Sequence, residues 1–259
     1  RFFIFNYEEG TMKRALLVPI CLLLIACGLS GCDDDDDVTF VNDYYTGLRV
    51  IHAGYDAPPA AVFLNGALVV DSLEFGESSG YALVLSDVYD MEITPADGET
   101  AELVSIENLV LMPLEVITVF AVGARADLRP LITEDSRFLL DGRARARFVH
   151  ASPDAPAVDL RIDSADGTQI FQGVSFPGVT DYTALDPGDY VFVVTAAGNT
   201  DPLAAFDDVA LETGTLYTIA ALGTLNGDDE YDFMVRVYTD NGDGAGFADL
   251  TPAAAVIPD

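Results

Sequence analysis

One motif occurs twice in this chain, as RVIHAGYDAP from Arg49 and RFVHASPDAP from Arg147. A second pair follows, VITVFAVGA from Val116 and LYTIAALGT from Leu216. A period of about a hundred residues is too long for a stacked solenoid repeat but suits a sandwich domain, so the duplication predicts two domains in tandem. The boundary is placed at 140–143, which divides 48–141 from 142–250 and leaves 251–259 as a tail. Because no Gly/Ser-rich linker stands between the halves, they are expected to abut, with one larger sandwich built from both as the alternative.

Within each half, short runs of β-branched and aromatic residues alternate with Gly, Pro and Asp, and helical periodicity is almost absent. The runs predict strands over 48–53, 61–64, 67–73, 81–85, 90–94, 103–111 and 116–122. In the second half they predict strands over 145–151, 158–163, 168–174, 190–195, 204–211, 216–222 and 233–238. About seven strands per copy, spaced by turn signals, is the pattern of an all-β sandwich. The stretch LDPGDY from Leu185 reads as a turn feeding a strand, with Tyr190 packed inward and its hydroxyl returned to the backbone.

Alternate side chains of a strand face opposite sides of its sheet. Ala144, Ala146, Phe148 and His150 therefore share one face, and Arg143, Arg145 and Arg147 the other. In the first copy Leu48, Val50 and His52 lie opposite Arg49. Both histidines fall on the apolar side and the arginines on the outward one. Asp159, Arg161 and Asp163 oppose Val158, Leu160 and Ile162, which makes His150 and Asp159 a poor dyad. Asp154 and its counterpart Asp56 sit in the turn, where a carboxylate can accept backbone amides.

The set His52, Asp56, His150 and Asp154 is accordingly read as a structural strand-turn-strand signature, with His150 and Asp154 as an internal brace. The competing reading makes them half of a hydrolytic site, or His150 a metal ligand. No H-E-x-x-H pattern supplies the missing partners, and the chain holds only 2 histidines. No catalytic residue is assigned.

The amino end carries MKRALLVPICLLLIACGLSGC, in which Met12 is followed by Lys13 and Arg14, an apolar run and small residues ending at Cys32. The apolar core is short for a spanning helix and ends like a cleavage site, so 12–31 is expected to be a signal peptide and 1–11 to lie upstream of the true start. Leu29-Ser30-Gly31-Cys32 resembles the lipobox of bacterial lipoproteins, which marks Cys32 for lipidation. The Asp run at 33–37 repels itself and should act as a tether over 32–47. Asp after the lipidated Cys resembles an inner-membrane retention signal that varies between lineages, so inner and outer membrane both stay open. With Cys21 and Cys27 removed and Cys32 lipidated, the folded part holds no thiol or disulfide, and with Lys13 gone it holds no lysine nucleophile.

The formal net charge is -31, in a chain that is 50% hydrophobic. That apolar content argues for a folded protein, and the charge argues against nucleic-acid binding. Carboxylate-rich loops from Asn226 and Asp240 offer Asp228, Asp229, Asp240 and Asp243 as calcium candidates, but neither loop has EF-hand spacing. A solvated acidic surface accounts for them equally, so no cofactor is assigned beyond calcium as a candidate.

HASPDAPAVDL, the LDPGDY turn and the LYTIAALG strand together resemble the bacterial domain of unknown function 4397. The resemblance spans most of residues 48–240 and is weaker in the first copy, where Tyr55 and Ala61 stand in place of Pro153 and Asp159. It implies immunoglobulin-like sandwiches, often exported or lipid-anchored, and carries no catalytic residues. The expected role is a lipid-anchored protein of the bacterial cell envelope, periplasmic or surface-exposed. It would act as a non-catalytic binding, adhesion or structural module, with the membrane and either envelope proteins or extracellular glycans as partners. The alternative is an envelope hydrolase or carbohydrate-active protein using loop carboxylates.

Overall fold

The computed structural model describes residues 44–98, 102–226, 232–242, 244 and 247–249. The leader, Cys32, the Asp run, the calcium candidates Asp228, Asp229 and Asp243, and the tail 251–259 lie outside these residues.

The first half forms β1 (Tyr45–Tyr55), β2 (Ala60–Leu64), β3 (Ala67–Leu73), β4 (Ala82–Leu85), β5 (Val88–Pro95), β6 (Val104–Val110), β7 (Val116–Ala124) and β8 (Arg129–Glu134). The second forms β9 (Ala144–His150), β10 (Val158–Ile162), β11 (Gln169–Val174), β12 (Gly178–Val179), β13 (Thr183–Leu185), β14 (Gly188–Ala196), β15 (Pro202–Leu211), β16 (Leu216–Leu222), β17 (Met234–Thr239) and β18 (Phe247–Asp249). The sequence pattern does not mark β8, β12, β13 or β18. Arg129–Glu134 has Pro130 in a charged run, which is tolerated because β8 is an edge strand paired only with β7.

In the first half the sheet β4-β1-β7-β8 faces the sheet β3-β2-β5-β6 across Leu48, Val50, Val62, Met91, Ile93 and Val119. In the second half β12-β9-β16-β17-β18, with β13 also on β9, faces β11-β10-β14-β15 across Phe148, Leu160, Phe192, Phe206 and Ile219. Pairing is antiparallel except for β1 with β7 and β9 with β16, which run parallel in both copies. The protein is all-β, with two tandem immunoglobulin-like sandwiches. The LDPGDY tyrosine has a twin: Tyr190 donates its hydroxyl to Asp186 O at 2.7 Å, and Tyr89 does the same to Leu85 O at 3.0 Å.

The outward faces of β1 and β9 do not meet solvent. A third core joins Ile51, Ala53, Phe120 and Val122 of the first half to Val149, Ala151, Ala220, Leu222 and Tyr238 of the second. The four sheets are thus stacked in four layers, and the described residues all belong to one compact unit. A strand covered on both faces reads as a nearly continuous apolar run, and β1, β7 and β16 all do so.

Candidate functional site

The layer between the two inner sheets carries, beside its apolar part, a cluster of buried charge. Arg49 lies on β1 and Arg147 on β9, at matching places in the repeated motif, and both are almost fully buried. Their facing acids are Asp135, just past β8, and Asp240, just past β17, both buried as well. The pairing crosses between the halves. Arg49 Nη2 donates to Asp240 Oδ1 at 2.7 Å, and Arg147 Nη2 donates to Asp135 Oδ1 at 2.5 Å. A longer contact of 3.4 Å ties Arg49 to Asp135.

The rest of each guanidinium is occupied in the same way twice over. Arg49 Nε donates to Thr118 Oγ1 at 2.9 Å and Arg147 Nε to Thr218 Oγ1 at 2.8 Å. Tyr81 lies under Arg49, with Cζ 4.4 Å from its ring centre, and donates its hydroxyl to Asp135. Tyr182 lies 5.0 Å under Arg147 and donates to Asp240 Oδ2 at 2.7 Å. Thr118 donates to Asp135 and Thr218 to Asp240.

Burial works against charge on both arginines. For Arg49 the charges of Asp240, Tyr81 and Asp135 together outweigh it, and for Arg147 those of Asp135, Asp240 and Tyr182, so both are held above the usual arginine value. Burial pushes the phenols of Tyr81 and Tyr182 up, which keeps both as donors. Two cations and two anions in this closed layer balance each other and lock how the halves meet. Neither Arg49 and Arg147, expected to face outward, nor Asp240, expected in an acidic loop, is in solvent. Both oxygens of Asp240 are taken by Arg49, Tyr182 and Thr218, so its place is structural.

The histidine motif is equally closed. In the first copy, the neutral ring of His52 donates from Nε2 to Pro58 O at 3.0 Å and accepts Gly54 N–H on Nδ1 at 3.3 Å. In the second, His150 donates to Pro156 O at 3.0 Å and accepts from Ser152 N at 3.3 Å. The brace expected between His150 and Asp154 is therefore not the one that forms. Asp154 instead accepts the backbone amides of Leu225 and Asn226, at 2.9 and 3.0 Å, and tethers its turn to the end of β16. Asp56 does the corresponding work after β7, accepting Arg125 N at 2.7 Å. The short Asp carboxylate reaches amides of a neighbouring loop more easily than the histidine beside it, whose ring already has both nitrogens occupied.

Asp159 does lie on the face opposite the core, but it is buried rather than exposed, since it accepts the amides of Gly173 and Gly198 at 2.7 and 3.1 Å. The stretch GESSG at 76–80 spells G-x-S-x-G, a pattern that signals a nucleophile only at a strand-to-helix turn. Here Ser78 bridges to Ile51 and donates to Gly244 O at 2.9 Å, and the element that follows it is the strand β4, not a helix. Among the described residues, no three His, Cys, Asp or Glu side chains are grouped to hold a metal ion.

Burial lowers the pKa of both histidines. An unfolded chain binds protons on these rings below about pH 6.5 while the fold resists, so stability is complete above that value and falls as pH drops through it. The loss is expected to reach about 1.4 kcal/mol per pH unit per histidine until the folded rings titrate. Urea midpoints measured on the two sides of this window should show it, and a His52→Gln/His150→Gln variant should lose it. Asp154 adds nothing in this window: burial alone would raise its pKa, but the Leu225 and Asn226 donors hold it low, so its contribution fades only in the acid carboxylate range.

A family model described as "Domain of unknown function (DUF4397)" matches two adjacent segments of the chain, 46–161 and 162–250. The chain belongs to the DUF4397 family. The first matched segment takes in β9 and all but the last residue of β10. No curated protein matches the chain. Among solved structures, the CBM26-family module CBMbc of Eubacterium rectale Amy13K, in complex with maltoheptaose, is similar at 13% identity and a TM-score of 0.24, covering 77% of this chain and 100% of that one. The Bacillus anthracis TIE protein is similar at 12% identity and a TM-score of 0.21, covering 81% of this chain and 44% of that one. At these scores neither likeness carries an argument about activity.

Proposed function

We propose that this DUF4397 protein is a lipid-anchored protein of the bacterial cell envelope whose paired sandwiches act as a non-catalytic binding, adhesion or structural module. The observation that carries the non-catalytic reading is the engagement of the motif histidines and aspartates and of the two buried acids between the sheets. His52, His150, Asp56 and Asp154 are bound to backbone, and Asp135 and Asp240 to the buried Arg147 and Arg49. A general base needs a free lone pair within reach of a substrate proton, and both imidazoles spend theirs on backbone amides. Anchoring is supported by the charged start, apolar core and lipobox-like ending before Cys32.

Two measurements test this reading. Fatty-acid labelling in the producing bacterium is expected for the full chain and lost in Cys32→Ala; a variant that still labels would refute the anchor. Glycan and peptide arrays should show retention without turnover, and turnover abolished by His150→Ala or Asp154→Ala would replace the module with a hydrolase.

A further inference from the structure

The end of the first sandwich where β1 begins is apolar and uncovered. Tyr44 is 73% exposed, Val110 55%, Met112 53%, Leu114 51%, and Leu85 46%, while Phe138 reaches 65%. These side chains come from separate segments that the backbone gathers at one place. Ser86 N donates to Tyr44 O at 2.7 Å, Leu114 N to Tyr45 O at 3.0 Å, and Thr46 Oγ1 to Met112 O at 2.6 Å. Leu85 pairs with Tyr45, and Val88 with Val110. Arg137 Nη1 donates to Leu114 O at 3.1 Å, which brings Phe138 to the same end.

An apolar group of this kind on a surface otherwise rich in carboxylates marks a contact site. Its border supplies the cations usual at a lipid headgroup layer. Arg137 is exposed there, and Arg145 donates to Phe138 O at 2.8 Å. Arginines flanking an aromatic ring can keep their heads in water while their stems lie on apolar surface. Asp87 and Glu115 also stand near, accepting Leu111 N and Gly47 N on their carbonyls, so the patch suits a bilayer that is mostly zwitterionic.

The occupant follows from where the chain enters. Tyr44 is the first described residue, and it is one of the exposed apolar side chains. Eleven residues separate it from Cys32, so even fully extended this stretch reaches about 40 Å. We infer that this end of the first sandwich rests on the lipid bilayer as a second membrane contact beside the anchor. The inference rests on the lipidation of Cys32 argued above. A lipid tether alone leaves a domain free to tumble over the membrane, whereas tether and patch together fix which end faces outward. The second sandwich is then the part held away from the bilayer.

The chain has no tryptophan, so one introduced indole reports alone. The experiment uses the full chain purified from membranes as Met112→Trp, reconstituted in vesicles of phosphatidylethanolamine with a minor share of phosphatidylglycerol. Fatty-acid label is read on the same sample. The expected result is a blue-shifted emission that brominated lipid quenches, with neither effect for Asn199→Trp in the β14–β15 turn. Adding Val110→Asp to Met112→Trp should remove the shift while the label and the far-UV spectrum persist. A labelled, folded protein whose indole stays water-like would overturn the inference and leave the anchor standing. Absence of label would overturn the anchor and the inference with it. A blue shift that depends on protein concentration and ignores brominated lipid would assign the patch to a second copy of the chain and overturn the bilayer as occupant.

Discussion

Asp135→Ala is expected to destabilise the folded unit by about 3–5 kcal/mol, because it leaves buried cations without their counter-charge. Asp135 accepts from Arg147, Arg49, Tyr81, Thr118 and Thr133, and both arginines are buried, so water cannot take its place as their partner. For a unit of this size the loss corresponds to roughly 10 °C in melting temperature. Both halves should be affected together, since the acid comes from the first half and its closest arginine from the second. The double variant Arg147→Met/Asp135→Leu, which removes a cation and an anion at once, should recover much of the loss, as apolar replacements of buried pairs often do. Calorimetry on the three proteins checks this. A single variant that melts with the wild type would show that the charge layer carries no weight.

Phe120→Ala should cost about 3–5 kcal/mol by a different mechanism. Phe120 is fully buried on β7 and belongs to the core between the inner sheets, not to the interior of one sandwich. Its removal leaves a cavity lined by residues of both halves, so one lowered transition is expected, not a separate loss from the first domain. Chemical denaturation followed by tyrosine fluorescence and by circular dichroism would give coincident curves if the halves unfold as one. Two separated transitions in the wild type would contradict the coupling that the shared layer implies.

Much of the architecture can be read from the chain. The repeated RVIHAGYDAP and RFVHASPDAP motifs locate β1 and β9, and the VITVFAVGA and LYTIAALGT runs locate β7 and β16, their parallel partners. The tyrosine of LDPGDY folds back on its own turn as the residue order suggests. The motif histidines are buried. What parity leaves out is the identity of whatever covers the opposite face. Arg49 and Arg147 look like outward charges on that rule, yet the face they share with Ile51 and Val149 is an internal one. One signal was available: β1 and β16 are apolar on both faces, which marks strands covered on both sides.

Asp135 carries no such signal, because β8, which delivers it, has the proline-containing sequence of an edge strand. Its counterpart Asp240 follows β17 at the matching place, so aligning the strands after VITVFAVGA and LYTIAALGT would have pointed to the pair. The acidic sequence around Asp240 fits a calcium loop, whereas its carboxylate is spent inside the protein on Arg49, Tyr182 and Thr218.

The sequence by itself determined that the chain is a duplicated all-β protein of the DUF4397 kind, because alternation, turn residues and repetition are local properties carried along the chain. Only the tertiary structure decided that the two sandwiches share a layer, that the arginines of the repeated motif are buried in it, and that His150 and Asp154 brace different segments. Those outcomes depend on partners as distant as the 191 positions between Arg49 and Asp240. Burial and charge pairing belong to the meeting of two surfaces, and a periodic pattern describes only one surface at a time.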